Sequence, residues 1–277
     1  MKQLLNIAIL DLYEGSENQG MRCLYQIIDE FSKNQKIQIK TDVFDVRLKS
    51  ELPGLEYDVY ISSGGPGNPL PNELHQWEPL YFKWIQNMLD YNNQVDDKNK
   101  KQVFFICHSF QLACRFFNIA TVKKRKSTSF GVFPVHFVDN NPDVVFNNLP
   151  NPFFAVDNRN YQAIEPNLDA IHKIGGTVLA IEKERPHVNL ERALMAIRFN
   201  QNMIGTQFHP EADVIGMSAY LQKPETKEMI VSNHGIEKWE SMIAHLKDED
   251  KISYTYKTIL PNFLHNSLLV SNPQLPK

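Results

Sequence analysis

Apolar and polar residues follow one another along the chain in blocks, and the period inside each block predicts an element. Residues 4–10, LLNIAIL, form a run of strand length that is apolar except for Asn6, whereas in ENQGMRCLYQIIDEFSK the residues Met21, Leu24, Ile27, Ile28 and Phe31 recur at helical spacing. IQIKTDVFDV and YDVYISS predict two further strands, and a glycine-rich turn separates the second from a helical stretch over about Glu73–Tyr91. The polar connector NNQVDDKNKK leads into QVFFIC, which is apolar on both faces. Strands buried on both faces are the mark of a mostly parallel sheet covered by helices.

From about Phe130 the texture changes. FGVFPVHFV, FFAVDN, TVLAIEKE and RALMAIRFNQNMIGTQFH predict short strands joined by loops rich in Asn, Pro and Gly, a β meander with FNQN at one turn. After HPEAD the chain turns mainly helical. Trp239, Met242, Ile243 and Leu246, then Ile259, Leu260, Phe263 and Leu264, form apolar stripes that most simply pack on the sheet, a lid or a dimer contact being the alternative. The expected architecture is α/β: a mostly parallel open sheet flanked by helices, with a small β meander and a helical C-terminal extension. Residues 1–212 make one domain and 213–277 the extension packed on it.

Composition narrows the field. A hydrophobic content of 42% over 277 residues permits a sizeable core, and a net charge of −3 with interspersed signs gives no reason to expect nucleic acid or an anionic membrane. The one basic run, Lys123–Lys126, reads as a solvated loop or strand end. No apolar stretch approaches the roughly 20 residues of a membrane span, and no leader-type cleavage site follows the first apolar run. Three cysteines without C-x-x-C spacing suggest neither a disulfide framework nor a zinc site, so a reducing cytoplasm is the expected location. No histidine ligand cluster is present, and neither a metal nor an organic cofactor is expected. The oligomeric state is not legible.

Three segments carry chemistry. In VFFICHSFQLA, Cys107 stands between a strand and a helix, where a side chain is presented at the carboxyl edge of a parallel sheet and a helix N-terminus favours a thiolate. Taken alone it is equally a small core residue, as Cys23 and Cys114 are read to be. SSGGPGNP follows directly on YDVYI, so its amides lie at the same edge, free to point into a site as an oxyanion hole requires. It lacks the spacing of a nucleotide-binding loop. GTQFHPEAD places His209 and Glu211 two residues apart, on one side of the chain if the segment is extended, which suits an imidazole oriented by a carboxylate.

The combination SGGPGNP, FICHSFQ and QFHPE, in this order over roughly residues 4–213, resembles the class I (triad-type) glutamine amidotransferase family, in particular the glutaminase domain of GMP synthase. The resemblance implies a flavodoxin-like sheet, with Cys107 as nucleophile, His209 as base and Glu211 as orienting acid. It implies an oxyanion hole from the amides of Gly65 and His108, and substrate contacts from Gly64 and Gln111. The implied reaction is hydrolysis of the glutamine side-chain amide through a glutamyl thioester, the ammonia passing to a synthetase partner.

The departures from the family pattern matter as much. Phe105 and Ser109 replace the two glycines of the usual G-x-C-x-G elbow; Ser109 is small, whereas Phe105 is expected to reshape the pocket floor. VDNRNYQ lacks a Ser-His pair found at the corresponding place in the family, and Arg159 there is either a carboxylate grip or a surface residue. His108 is expected to present its ring to solvent or to the pocket. A histidine next to the cysteine serves in the triad of a related peptidase and chaperone superfamily, but QFHPE already supplies a base and an acid. Residues after Asp213 hold no phosphate-binding loop, so a complete bifunctional synthetase is not expected. A stand-alone hydrolase of γ-glutamyl compounds, a non-catalytic binding relative and a partner-dependent glutaminase all stay open.

Overall fold

The computed structural model describes residues 4–139, 143–186, 189–246, 248, 251–272 and 274. The first apolar run is strand β1 (Leu4–Asp11), and helix α1 (Gly20–Gln35) buries the stripe Cys23, Leu24, Ile27, Ile28 and Phe31. Next come β2 (Gln38–Asp45), the single turn α2 (Val46–Lys49), β3 (Val59–Ser62), α3 (Trp77–Asn92), β4 (Gln102–Ile106) and α4 (His108–Phe116). Helix α3 starts at Trp77 rather than Glu73, because the Asn72 side chain accepts the Leu74 N–H at 3.0 Å and folds that stretch into a turn.

The chain continues through β5 (Thr121–Phe137), β6 (Phe153–Ile164), α5 (Leu168–Lys173), β7 (Thr177–Glu182), β8 (Leu194–Asn200) and β9 (Met203–Thr206). The described strands form one nine-stranded sheet in the order β2-β1-β3-β4-β9-β8-β7-β5-β6. Pairing is parallel from β2 across to β9 and antiparallel from β9 to β6. The fold class is the expected α/β one, and the meander is the antiparallel half of the same sheet. The sheet curls: β6 is its last strand, yet Val156 bridges back to His209 just beyond β9. The basic run lies in β5, at a bulge where Lys124 to Ser129 face only Tyr161 to Arg159.

Side chains alternate across the parallel half as the two-residue period of a strand requires. Ile7, Ile9, Phe104 and Ile106 share one core with α1, while Ala8, Leu10, Val103 and Phe105 share the other with α3 and α4. The final helices are α6 (Val214–Leu221), α7 (Pro224–His234), α8 (Ile236–Leu246) and α9 (Ile252–Ser271). Helix α9 sends Ile259, Leu260, Phe263 and Leu264 into the same core as α1, so it completes the layer on that face of the sheet. Met217, Leu221, Ile230 and Met242 of α6 to α8 pack with Val132 and Val156 of the antiparallel half, and the Trp239 indole N–H donates to the Leu221 carbonyl at 3.0 Å. No described helix is long and apolar enough to cross a membrane.

Phe263 meets Phe104 edge-on at 5.1 Å and is 3% exposed. Phe263→Ala is expected to destabilise the whole domain by about 3–5 kcal/mol, the usual cost of emptying a buried aromatic site. Urea unfolding followed through the sheet signal checks this; a loss under about 1 kcal/mol would mean that α9 is not part of the cooperative core.

Candidate active site

The parallel strands β1, β3, β4 and β9 end at one edge of the sheet, and the segments leaving those ends meet. Tyr13 follows β1, Gly64 and Gly65 follow β3, Cys107 follows β4, and Gln207 and His209 follow β9. Among them Tyr13, Gly65, Cys107 and His209 line a cavity of about 430 Å³, within the usual range for small-molecule sites. Helix α6 covers part of it with Gly216, Met217 and Tyr220.

Cys107 occupies the turn from β4 into α4 with φ 48° and ψ −96°, a backbone state that non-glycine residues adopt only when their surroundings enforce it. Its N–H donates to the Thr206 carbonyl at 2.8 Å, which ties the turn to β9. Ser109 secures the other side: its hydroxyl accepts the Ile106 N–H at 2.8 Å and lies 2.7 Å from the Ser62 carbonyl, to which it donates. The serine that replaces a family glycine therefore stitches the ends of β3 and β4 together.

Phe105 does not reach the pocket floor. In a strand, residues 105 and 107 would be expected on the same side, but the sharp turn at Cys107 breaks the alternation, and Phe105 is fully buried on the α4 side, edge-on to Phe199 at 5.7 Å. Its bulk is accommodated by Gly205, its register partner on β9, where an added Cβ would lie 3.0 Å from the Phe105 Cβ.

The His209 Nδ1 lies 2.8 Å from the Glu211 carboxylate, which is buried. They meet through a turn at residues 210–211 and not along an extended strand: the Ala212 N–H donates back to the His209 carbonyl at 3.3 Å. The His209 backbone is held separately, its N–H donating to the Val156 carbonyl at 2.9 Å. Burial disfavours a charged imidazole, but Glu211, then the charge and hydrogen bond of Cys107, outweigh it and raise His209 well above its ordinary value. Gly64 fits between the partners: a Cβ there would come 2.8 Å from the His209 Cε1 and 3.5 Å from the Cys107 Cβ. At Gly65 a Cβ would strike the Leu12 carbonyl oxygen at 2.2 Å.

Gln111 is buried beside the cavity and donates to the Gln207 side chain at 3.0 Å; Gln207 in turn donates to the Cys107 sulfur at 3.7 Å. Nothing in the sequence marks Gln207 although it lies in QFHPE, since a glutamine before an H-x-E pair has no spacing signal of its own. Tyr13, another cavity residue that the sequence does not mark, is kept neutral by burial and then by Glu211 and Cys107, which push its phenol well above the ordinary range.

Two further expectations need correction. Of the two places expected for the His108 ring, solvent is excluded and the cavity is not: His108 borders the cavity but is 2% exposed and tilted against Trp77, and burial, then the charges of Arg47, His75 and Arg115, push it down to about 3. Arg159 is neither a surface residue nor a free grip. Its Nε donates to both Asp157 carboxylate oxygens at 2.8 and 2.9 Å and its Nη2 lies 3.4 Å from Glu182, because a cation this deeply buried requires partners.

A thiol beside an imidazole that a carboxylate orients has the parts that covalent catalysis needs, a nucleophile and a base within reach of it. Among the described residues no group of His, Cys, Asp or Glu could hold a metal ion.

The sequence profile described as glutamine amidotransferase class-I matches residues 19–223. Among solved structures, a glutamine amidotransferase from Thermotoga maritima is similar at 15% identity with a TM-score of 0.66, over 95% of this chain and 98% of that one. The glutaminase domain of Trypanosoma brucei CTPS, solved with bound acivicin, is similar at 15% identity with a TM-score of 0.56, over 75% and 86%. A GMP synthase-type protein from Thermoplasma acidophilum is similar at 19% identity with a TM-score of 0.50, over 76% and 87%. At these identities the neighbours establish the fold, and no curated protein sequence matches the chain. With a family match over well more than half of its length, the chain belongs to the class-I glutamine amidotransferase family.

Proposed function

We propose that this protein hydrolyses the side-chain amide of glutamine through a thioester on Cys107 and passes the ammonia to an acceptor site on a synthetase partner. The observation that carries the proposal is the approach of Cys107 and His209 to each other beside Gly64, with Glu211 bonded to the His209 ring, in a cavity at the edge where the parallel strands end.

The Cys107 thiolate attacks the γ-carbonyl carbon, and the oxygen that becomes negative is met by the amides of Gly65 and His108. Both residues border the cavity, and the His108 N–H, first in α4, has no partner within the helix. The imidazolium of His209 donates its proton to the amide nitrogen, the C–N bond breaks and ammonia leaves. His209, now neutral, takes a proton from water; the hydroxide attacks the thioester, glutamate leaves, and the thiolate and imidazolium are restored. Glu211 keeps the ring oriented and favours its charged form. Gly64 and Gln111 shape the glutamyl pocket, Gln111 through Gln207.

Treatment with a glutamine-analogue electrophile is expected to add one adduct at Cys107, detectable by mass spectrometry, and none in Cys107→Ser. Ammonia release from glutamine should fall by about three orders of magnitude or more in that variant. An adduct on another residue, or none on the wild type, defeats the proposal.

Glu211→Gln removes the charge that most raises His209, so the alkaline limb of kcat/KM should move to lower pH while the rate falls by about 10²-fold to 10⁴-fold. The folded value of His209 lies above its ordinary 6.5, so its contribution to stability is full below that pH and is lost as pH rises through the folded value. In the variant this contribution should be smaller and its loss complete at lower pH. Imidazole titration by NMR beside the rate profile checks the shift, and an unmoved alkaline limb would remove Glu211 from the role.

A further inference from the structure

A second cavity of about 570 Å³ borders the one at Cys107, and Gly67, Asn160 and Tyr161 line both. One wall is the bulge of β5, where five steps on that strand oppose two on β6 and leave residues 125–128 without register partners there. The bulge thus places the basic run in the wall of a cavity that borders the one holding Cys107.

Charge bookkeeping across both cavities singles out two side chains. Arg159 is consumed by Asp157 and Glu182. Arg125 is pinned by Gln162 at 2.6 Å and by Glu182 at 3.2 Å. His209 is engaged with Glu211. Lys124 and Lys126 also line the second cavity; both are exposed, and neither has an ion pair among the described residues. The first cavity meanwhile contributes Glu17, Glu211 and Asp213, with no spare cation among the described residues to meet a carboxylate.

We propose that Lys124 and Lys126 form a carboxylate-binding subsite adjoining the Cys107 cavity, so that the amide consumed there bears a carboxylate that lies in the basic groove. The proposal rests on the hydrolytic reading of Cys107 and names the recognition that Arg159 cannot supply. Two substrate carboxylates share this chemistry: the α-carboxylate of the glutamyl group, and one borne by a substituent on the amide nitrogen, as in a γ-glutamyl peptide. Lysine suits either, being a mobile point charge that needs no fixed fork geometry.

The test is calorimetric binding to the full chain carrying Cys107→Ser, so that no ligand is turned over, with and without Lys124→Gln and Lys126→Gln. The ligands are L-glutamine, γ-glutamylglycine, γ-glutamylethylamide and γ-aminobutyramide, which lacks the α-carboxylate. The lysine substitutions are expected to weaken carboxylate-bearing ligands by about tenfold, the scale of two exposed charge pairs, and to leave γ-aminobutyramide unaffected. Arginine at both positions should restore binding. Equal losses for glutamine, γ-glutamylglycine and γ-glutamylethylamide support the subsite and assign the α-carboxylate; a loss for γ-glutamylglycine alone supports it and assigns the leaving amine. Unchanged binding of all four, no binding by any, or an equal loss for γ-aminobutyramide overturns the subsite. If the discrimination holds and the wild-type Cys107 takes up no electrophile, the hydrolase reading fails by itself.

Discussion

The site depends on one strained residue. Cys107 holds a positive φ at the end of β4, and that single turn sets it where the core on the α1 side of the sheet borders the cavity, while α4 starts immediately behind it. Strain of this kind costs of order 1–3 kcal/mol and persists only where neighbours over-determine it. Here the neighbours are the Thr206 carbonyl on one side and the Ser109 hydroxyl bridging β3 and β4 on the other. Loss of the second elbow glycine is thus offset by a hydrogen-bonded serine, and Gly205 across the strand offsets the bulk that replaces the first.

Around that turn the fold brings together groups remote in sequence by curling the sheet. The parallel half supplies Gly64, Cys107 and His209 from neighbouring strand ends, and the antiparallel half returns through Val156 to fix the His209 backbone. The buried ion cluster of Asp157, Arg159 and Glu182 sits on and beneath the same stretch of β6, so it anchors the wall of the cavity, and its charges are satisfied before any ligand arrives. A buried arginine without those carboxylates would carry an uncompensated charge, which is why it cannot at once be structural and free.

Much of this was legible because the patterns were local. The stripe in α1, the doubly buried strands and the three motifs each reflect a period or a short turn. Less legible were effects of partners far along the chain. Phe105 looked like a pocket residue until Gly205 on β9 and Phe199 on β8 gave it a place on the opposite face. The His108 ring packs against Trp77 at the start of α3, with a whole helix and strand between them in the chain. The joining of His209 to Glu211 follows from a turn that the extended reading did not anticipate.

Sequence by itself determined the α/β class, the order of the elements and the short segments bearing cysteine, histidine and carboxylate, because hydrophobic period and turn chemistry are encoded within a few residues. Tertiary structure decided which side chains are spent and which are free. Arg159 and Lys124 carry the same formal charge in the sequence, and only folding buries one between carboxylates while a strand bulge leaves the other in a groove that borders the Cys107 cavity. Ionic partnership is a matter of distance in space, which no spacing along the chain specifies.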